Sequence, residues 1–225
     1  MSALEIVLIS VLGALVIVVG LYLFLLKTNV VNRLQLFKVI NNVALPDSIV
    51  FFGDSLTDFF PIQDFFPGTT IYNRGIAGDK TVDLLRRIDN VIAIKPRKII
   101  LQIGTNDLGK RAKPKTVIAN INRIIDELQA GIPGVEIVVI SLYPISHHRI
   151  WLSPIIAGLR SNKCINEVNR ELEALCSQRQ IPYLDLHSKL VDHKGRIHRD
   201  YTLEGLHISG LGYGVIADAI RPYID

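Results

Sequence analysis

From residue 48 to residue 220, short apolar runs alternate with longer stretches in which apolar residues recur at helical spacing. Runs 49–52, 98–103, 135–140 and 182–186 predict strands, bounded by turn residues. Stretches 81–88, 116–128, 159–176 and 209–220 predict helices, the second with Ile118, Ile121, Ile124 and Ile125 on one face. A strand that is apolar on both faces must be covered on both, so the alternation predicts a parallel sheet between two helical layers. In such a sheet, sites form beyond the carboxyl ends of the strands. No internal repeat or low-complexity segment interrupts the pattern.

The 225 residues allow one domain of this kind with a sizeable core. Much of the 49% hydrophobic content lies at the start, where residues 6–26 carry no charge. As a helix these would span ~30 Å, the hydrocarbon thickness of a bilayer. No Lys or Arg precedes the run and no small-residue cleavage site comes after it, unlike a secretory signal. The expected organisation is a transmembrane anchor over 1–27, a juxtamembrane linker with a short amphipathic helix over 28–45, and the α/β domain over 46–225. Lys27, Arg33 and Lys38 lie just past the span, which favours a cytoplasmic C-terminal side for a single-pass membrane protein.

A net charge of +4 does not imply nucleic acid. The basic clusters at 95–98 and 110–115 lack interleaved aromatics, and read as solvated faces or as attraction to anionic lipid. Cys164 and Cys176 fall in one predicted helix, ~18 Å apart at the helical rise, too far for a disulfide. Two unpaired thiols favour a reducing compartment.

Four polar stretches carry chemistry. Gly53-Asp54-Ser55 ends the first predicted strand, where a serine can be presented as a nucleophile or can cap a helix. Residues 73–79 supply a glycine block, residues 104–107 read Gly-Thr-Asn-Asp, and residues 204–207 read Glu-Gly-Leu-His. A serine needs a base, and His207 has Glu204 three residues before it to fix its tautomer. Acyl transfer also needs oxyanion donors, which the Ser55 and Gly78 amides and the Asn106 side chain can provide. Asp54 and Asp107 read as loop-holding carboxylates. Arg74 either faces an anionic substrate or is structural, and the irregular stretch 143–154 is either a substrate wall or an ordinary loop.

These four ordered blocks resemble those of the SGNH (GDSL-type) hydrolases, and the resemblance spans residue 46 to the C-terminus. It implies a flavodoxin-like three-layer α/β/α fold and an esterase or lipase activity, lysophospholipase-like, on acyl or acetyl esters of lipids or carbohydrates. It implies Ser55 as nucleophile, His207 as base, Gly78 and Asn106 with Ser55 as oxyanion donors, and no metal or organic cofactor. The chain departs from the family at Glu204, where the usual residue is Asp. Glu is one methylene longer, and Asp200 is the alternative third member.

Two other functions fit parts of the sequence. A metal-dependent phosphoesterase would use Asp54, Asp58, Asn106 and Asp107, but no Asp-x-His precedes Gly53 to complete a two-metal ligand set. A P-loop is excluded by the spacing of Gly75, Gly78 and Lys80, and an α/β-hydrolase elbow by the absence of Gly-x-Ser-x-Gly. A membrane-tethered binding module that has lost turnover is the non-enzymatic alternative.

Overall fold

The computed structural model describes residues 2–224, which fall into two compact units, Met1–Val43 and Ala44–Asp225. The first is a single helix, Ala3–Asn41, whose start is closed by a capping box between Ser2 and Glu5. Its Ala3–Leu21 segment is long and apolar enough to cross a membrane, and its aliphatic side chains are exposed. The helix is continuous across residue 27, where the sequence pattern sets the boundary between anchor and linker.

The second unit holds a five-stranded parallel sheet: β1 (Ile49–Gly53), β2 (Ile71–Gly75), β3 (Lys98–Gln102), β4 (Glu136–Ile140) and β5 (Tyr183–Leu184), in spatial order β2-β1-β3-β4-β5. Alternate residues of β1 feed two separate cores. Val50 and Phe52 join Ile99, Leu101 and the helices Pro114–Gly131 and Asn162–Gln178 on one face. Ile49 and Phe51 join Ile100 and the C-terminal helix Gly210–Ile220 on the other. This is the three-layer α/β/α arrangement expected from strands apolar on both faces.

Three local differences from the sequence pattern have physical causes. β2 has no counterpart among the predicted strands, because it is an edge strand carrying Asn73 and Arg74 rather than a uniformly apolar run. The helix expected from residue 116 starts at Pro114 and buries Val117 rather than Ile118, which is only half-buried. The helix expected from residue 159 starts at Asn162, capped by the Ser161 hydroxyl, which leaves Leu159 and Arg160 in the preceding connection.

Register decides what the sheet presents. Gly53 lies level with Gly75 on one side and with Gln102 on the other, so β1, β2 and β3 end together. The segments beyond them, bearing Ser55, Gly78 and Asn106, leave from one edge. Arg87 locks two of those ends. It is 5% exposed, donates to the Gly53 and Arg74 carbonyls at 2.9 Å each, pairs with Asp79 at 2.7 Å and lies over the Phe52 ring. Asn73 carries the lock further, donating to Thr57 O at 2.8 Å and accepting from Gly75 N at 2.8 Å.

Gly75 itself permits a close approach between β2 and the short helix Ser55–Asp58: a Cβ there would lie 2.2 Å from the Asp58 nitrogen. Gly75→Ala is expected to cost about 1–3 kcal/mol of stability, as overpacking does, and to displace the Ser55 helix. Denaturant unfolding of the variant checks the first effect, and reactivity of Ser55 towards an acylating probe checks the second.

Candidate active site

Ser55 is the first residue of the helix Ser55–Asp58 and is 7% exposed. The cap of that helix is Asp54, whose carboxylate accepts the Leu56 N–H at 3.0 Å; the sequence allowed Ser55 itself as the cap. Asp58, at the other end, accepts the Ala77 N–H at 3.1 Å and so ties the helix to the glycine block. Gly78 has φ +88°, a left-handed conformation that glycine adopts without strain.

Asn106 joins two blocks. Its Nδ2 donates to the Asp79 carbonyl at 2.9 Å, next to Gly78, and reaches the Asp54 carboxylate at 3.3 Å, next to Ser55. Its Oδ1 accepts from Arg160 Nη2 at 2.6 Å. The same guanidinium donates to the carbonyls of Thr105, Ile156 and Ala157, so it is held before it grips the carboxamide. Sequence patterns give no hint of Arg160. A lone arginine in an irregular connection has no spacing signal, and the chain contact that recruits it is 54 residues long. Asp107, next along, accepts both the Thr81 amide (3.0 Å) and hydroxyl (2.6 Å), fixing the helix after the glycine block.

His207 lies in the loop before the C-terminal helix. Its Nδ1 is hydrogen-bonded to the Glu204 carboxylate, which also accepts the His207 backbone N–H at 3.2 Å. Burial alone would raise the Glu204 pKa, but the hydrogen bond and attraction from His207 lower it overall. Asp200 instead approaches His198 at 3.9 Å. The His207 ring rests against Phe59, 5.4 Å between centroids, and the Phe59 N–H donates to the Ser55 carbonyl at 3.0 Å. Tyr213 Oη donates to the Leu56 carbonyl at 3.1 Å, fastening the C-terminal helix to the serine helix. The loop itself is set by Gly205, at φ +106°, where a Cβ would strike the Ser146 carbonyl at 2.0 Å.

Arg74 is 1% exposed, with its guanidinium over the Tyr72 ring, so the substrate-facing alternative fails. The stretch after β4 is bolted to the helix Asn162–Gln178 by two asparagines. Asn169 accepts from and donates to Leu142 at 2.7 and 2.9 Å, and Asn162 does the same with Ile145 at 2.8 and 2.9 Å. Beyond them, Ile155, Leu159 and Arg160 edge a cavity of about 360 Å³ that also touches Gly78 and Asn106. Among the described residues, no three His, Cys, Asp or Glu side chains group so as to hold a metal ion.

Burial pushes the Asp54 carboxyl up to about 7, against the opposing pull of the Leu56 amide and of Arg160. A carboxyl whose pKa is raised on folding binds more protons folded than unfolded between the two values, so its contribution to stability falls as pH rises through that window. The stability of Asp54→Asn relative to the native chain is therefore expected to increase from about pH 4 to about pH 7. Denaturant unfolding at the two ends of this range measures it, and a flat difference refutes it.

Comparison with known proteins agrees with this architecture. The model of the GDSL-like Lipase/Acylhydrolase family matches residues 51–215. The chain is 29% identical over 179 residues to platelet-activating factor acetylhydrolase IB subunit alpha1 of Bos taurus, covering 77% of this chain and 73% of that one; the Homo sapiens protein gives the same figures. A solved structure from Streptococcus pneumonia superposes with TM-score 0.84 at 29% identity, over 93% of this chain and 99% of its own. A GDSL-like lipase of Bacteroides thetaiotaomicron shares the fold, with TM-score 0.73 at 24% identity over 85% and 96%. The chain therefore belongs to the GDSL-like lipase/acylhydrolase family and is a hydrolase acting on esters.

Proposed function

We propose that the chain is a membrane-anchored serine ester hydrolase, with residues 1–27 as a single-pass anchor, 28–45 as linker and 46–225 as catalytic domain on the cytoplasmic side. The observation that carries the catalytic part is the Glu204–His207 pair resting on Phe59, whose amide is bonded to the Ser55 carbonyl. With Glu204 accepting the Nδ1 proton, Nε2 is the unprotonated nitrogen and serves as base. Glu204 takes the third role rather than Asp200, because it is Glu204 that bonds His207 Nδ1 while Asp200 approaches His198.

His207 takes the Ser55 Oγ proton as the oxygen bonds to the ester carbonyl carbon. The resulting oxyanion is met by the Ser55 and Gly78 amides and by Asn106 Nδ2, whose 3.3 Å contact with Asp54 is the one it gives up. His207 then protonates the leaving alcohol as the carbon–oxygen bond breaks. Water, deprotonated by His207, attacks the acyl-enzyme and releases the carboxylic acid, returning the proton to Ser55. No metal enters this scheme. The relatives named acetylhydrolases favour a short acyl group, and an anchor places the domain beside lipid esters.

Ser55→Ala and His207→Ala are each expected to abolish turnover while unfolding as the native chain does, and a fluorophosphonate probe is expected to give a single adduct on Ser55. Activity that survives either substitution, or that disappears with a chelator, overturns the assignment. Asn106→Ala is expected to lose on the order of 10²–10³ in kcat. Arg160→Met, which frees the carboxamide to turn, is expected to lose on the order of 10–10² in kcat with KM unchanged; steady-state kinetics on a soluble ester separates the two.

A further inference from the structure

Exposed apolar side chains are not spread evenly over the second unit. Among the described residues, eight large ones are exposed there, and six of them are Phe59, Ile150, Trp151, Ile155, Leu159 and Leu203. All six come from the three segments that surround the site. Phe59 touches His207, and the Leu203 N–H donates to the His207 carbonyl. Ile155 and Leu159 edge the cavity over Gly78 and Asn106. Ile150 and Trp151 lie in the stretch bonded to the 199–205 loop through Ser146 N to Gly205 O and Arg149 Nε to Arg199 O. Trp151, at 82% exposure, is the most exposed of them.

On the side of this rim that carries Trp151, Ile155 and Leu159 the charges have one sign, whereas Asp64 and Asp200 are exposed on the Phe59 and Leu203 side. Residues 137–166 contain no Asp or Glu, and neither do residues 108–125. The two stretches are neighbours, because Gly109 sits directly under the Arg160 guanidinium. Lys110, Arg111, Lys113 and Lys115 are all exposed in the second of them. We infer that this rim is a docking surface for an anionic lipid bilayer, with Trp151 as its deepest anchor and the 110–115 lysines and arginine on the headgroups.

Apolar tips backed by several lysines are the composition of a monotopic membrane contact. A protein–protein interface is depleted of lysine, and its aromatic anchors sit in pockets rather than at isolated tips. Docked in this way, the rim brings the cavity mouth to the lipid surface, so that an ester of an amphiphile reaches Gly78 and Asn106 without leaving the bilayer. This last consequence rests on the ester hydrolase reading above; the docking itself does not.

Trp151 is the single tryptophan of the chain, so its fluorescence in the full chain reconstituted into vesicles reports on the rim alone. With anionic lipid added to zwitterionic vesicles, its emission is expected to shift to the blue, to be quenched by bromolipid and to become protected from acrylamide. Lys113→Glu with Lys115→Glu, or high salt, is expected to remove the shift. Trp151→Glu is expected to lower hydrolysis of a vesicle-borne ester at least tenfold and to leave fluorophosphonate labelling of Ser55 unchanged. A Trp151 that stays open to acrylamide in anionic vesicles overturns the proposal. So does one protected from acrylamide yet untouched by bromolipid, which marks contact between protein chains. A native chain that fails to label at Ser55 strikes at the hydrolase reading and leaves the fluorescence result to judge docking.

Discussion

The site depends on a buried arginine that never enters it. Arg87 takes the carbonyls at the ends of β1 and β2 and pairs with Asp79 in the loop between β2 and the next helix. With three acceptors and an aromatic face around it, the guanidinium is one of the few buried cations whose desolvation is offset by its partners. Because Gly53 leads to Ser55, and Asp79 adjoins Gly78, this one side chain sets the distance between the serine helix and the glycine block. Truncating it would leave the Asp79 carboxylate buried without its guanidinium and take one donor from each of two carbonyls, a loss of several kcal/mol.

On that frame, the polar groups form a chain of mutual constraint rather than a set of separate contacts. Asn106 is held at its oxygen by Arg160 and at its nitrogen by the Asp79 carbonyl, which leaves one N–H for Asp54 or, in the proposed scheme, for an incoming oxyanion. Burial pushes Asp54 up to about 7 and Asp79 up to about 6, and the charge of Asp79 adds to the rise at Asp54. In return for two carboxyl groups kept in this layer, the site holds a pre-oriented amide and a braced serine helix, the kind of strain-free preorganisation that acyl transfer needs.

Much of this is legible in the sequence, for physical reasons. β1, β3 and β4 are buried on both faces and so read as unbroken apolar runs, and the polar blocks stand out because they interrupt them. Ser55, Gly78, Asn106 and His207 are visible as interruptions, and the structure brings their segments together at one edge of the sheet. β2 is not visible, since an edge strand with Asn73 and Arg74 lacks that contrast. Arg87 and Arg160 leave no trace either: each is a single cation whose partners are backbone carbonyls and side chains 3 to 55 residues away, and carbonyls have no letter in a sequence. The basic character of the stretches 108–125 and 137–166 is in plain view as the absence of Asp and Glu from them, yet only their adjacency across Gly109 and Arg160 makes them one surface.

Asn162 and Asn169 bolt the stretch after β4 through its backbone alone. Each grips one residue, Ile145 or Leu142, from both sides of the peptide, so together they fix where the excursion begins without reading its side chains. Residues 146–160 run from that anchored start to the Ser161 cap of the next helix and are clamped at both ends. Such a clamp lets mutation rewrite the mouth of the enzyme while the sheet and the serine stay still. In the proposed scheme, selectivity for one ester over another can drift at the exposed Ile150, Trp151, Ile155 and Leu159 with little effect on folding, whereas Arg160 and the buried Ser153 and Ala157 have to stay.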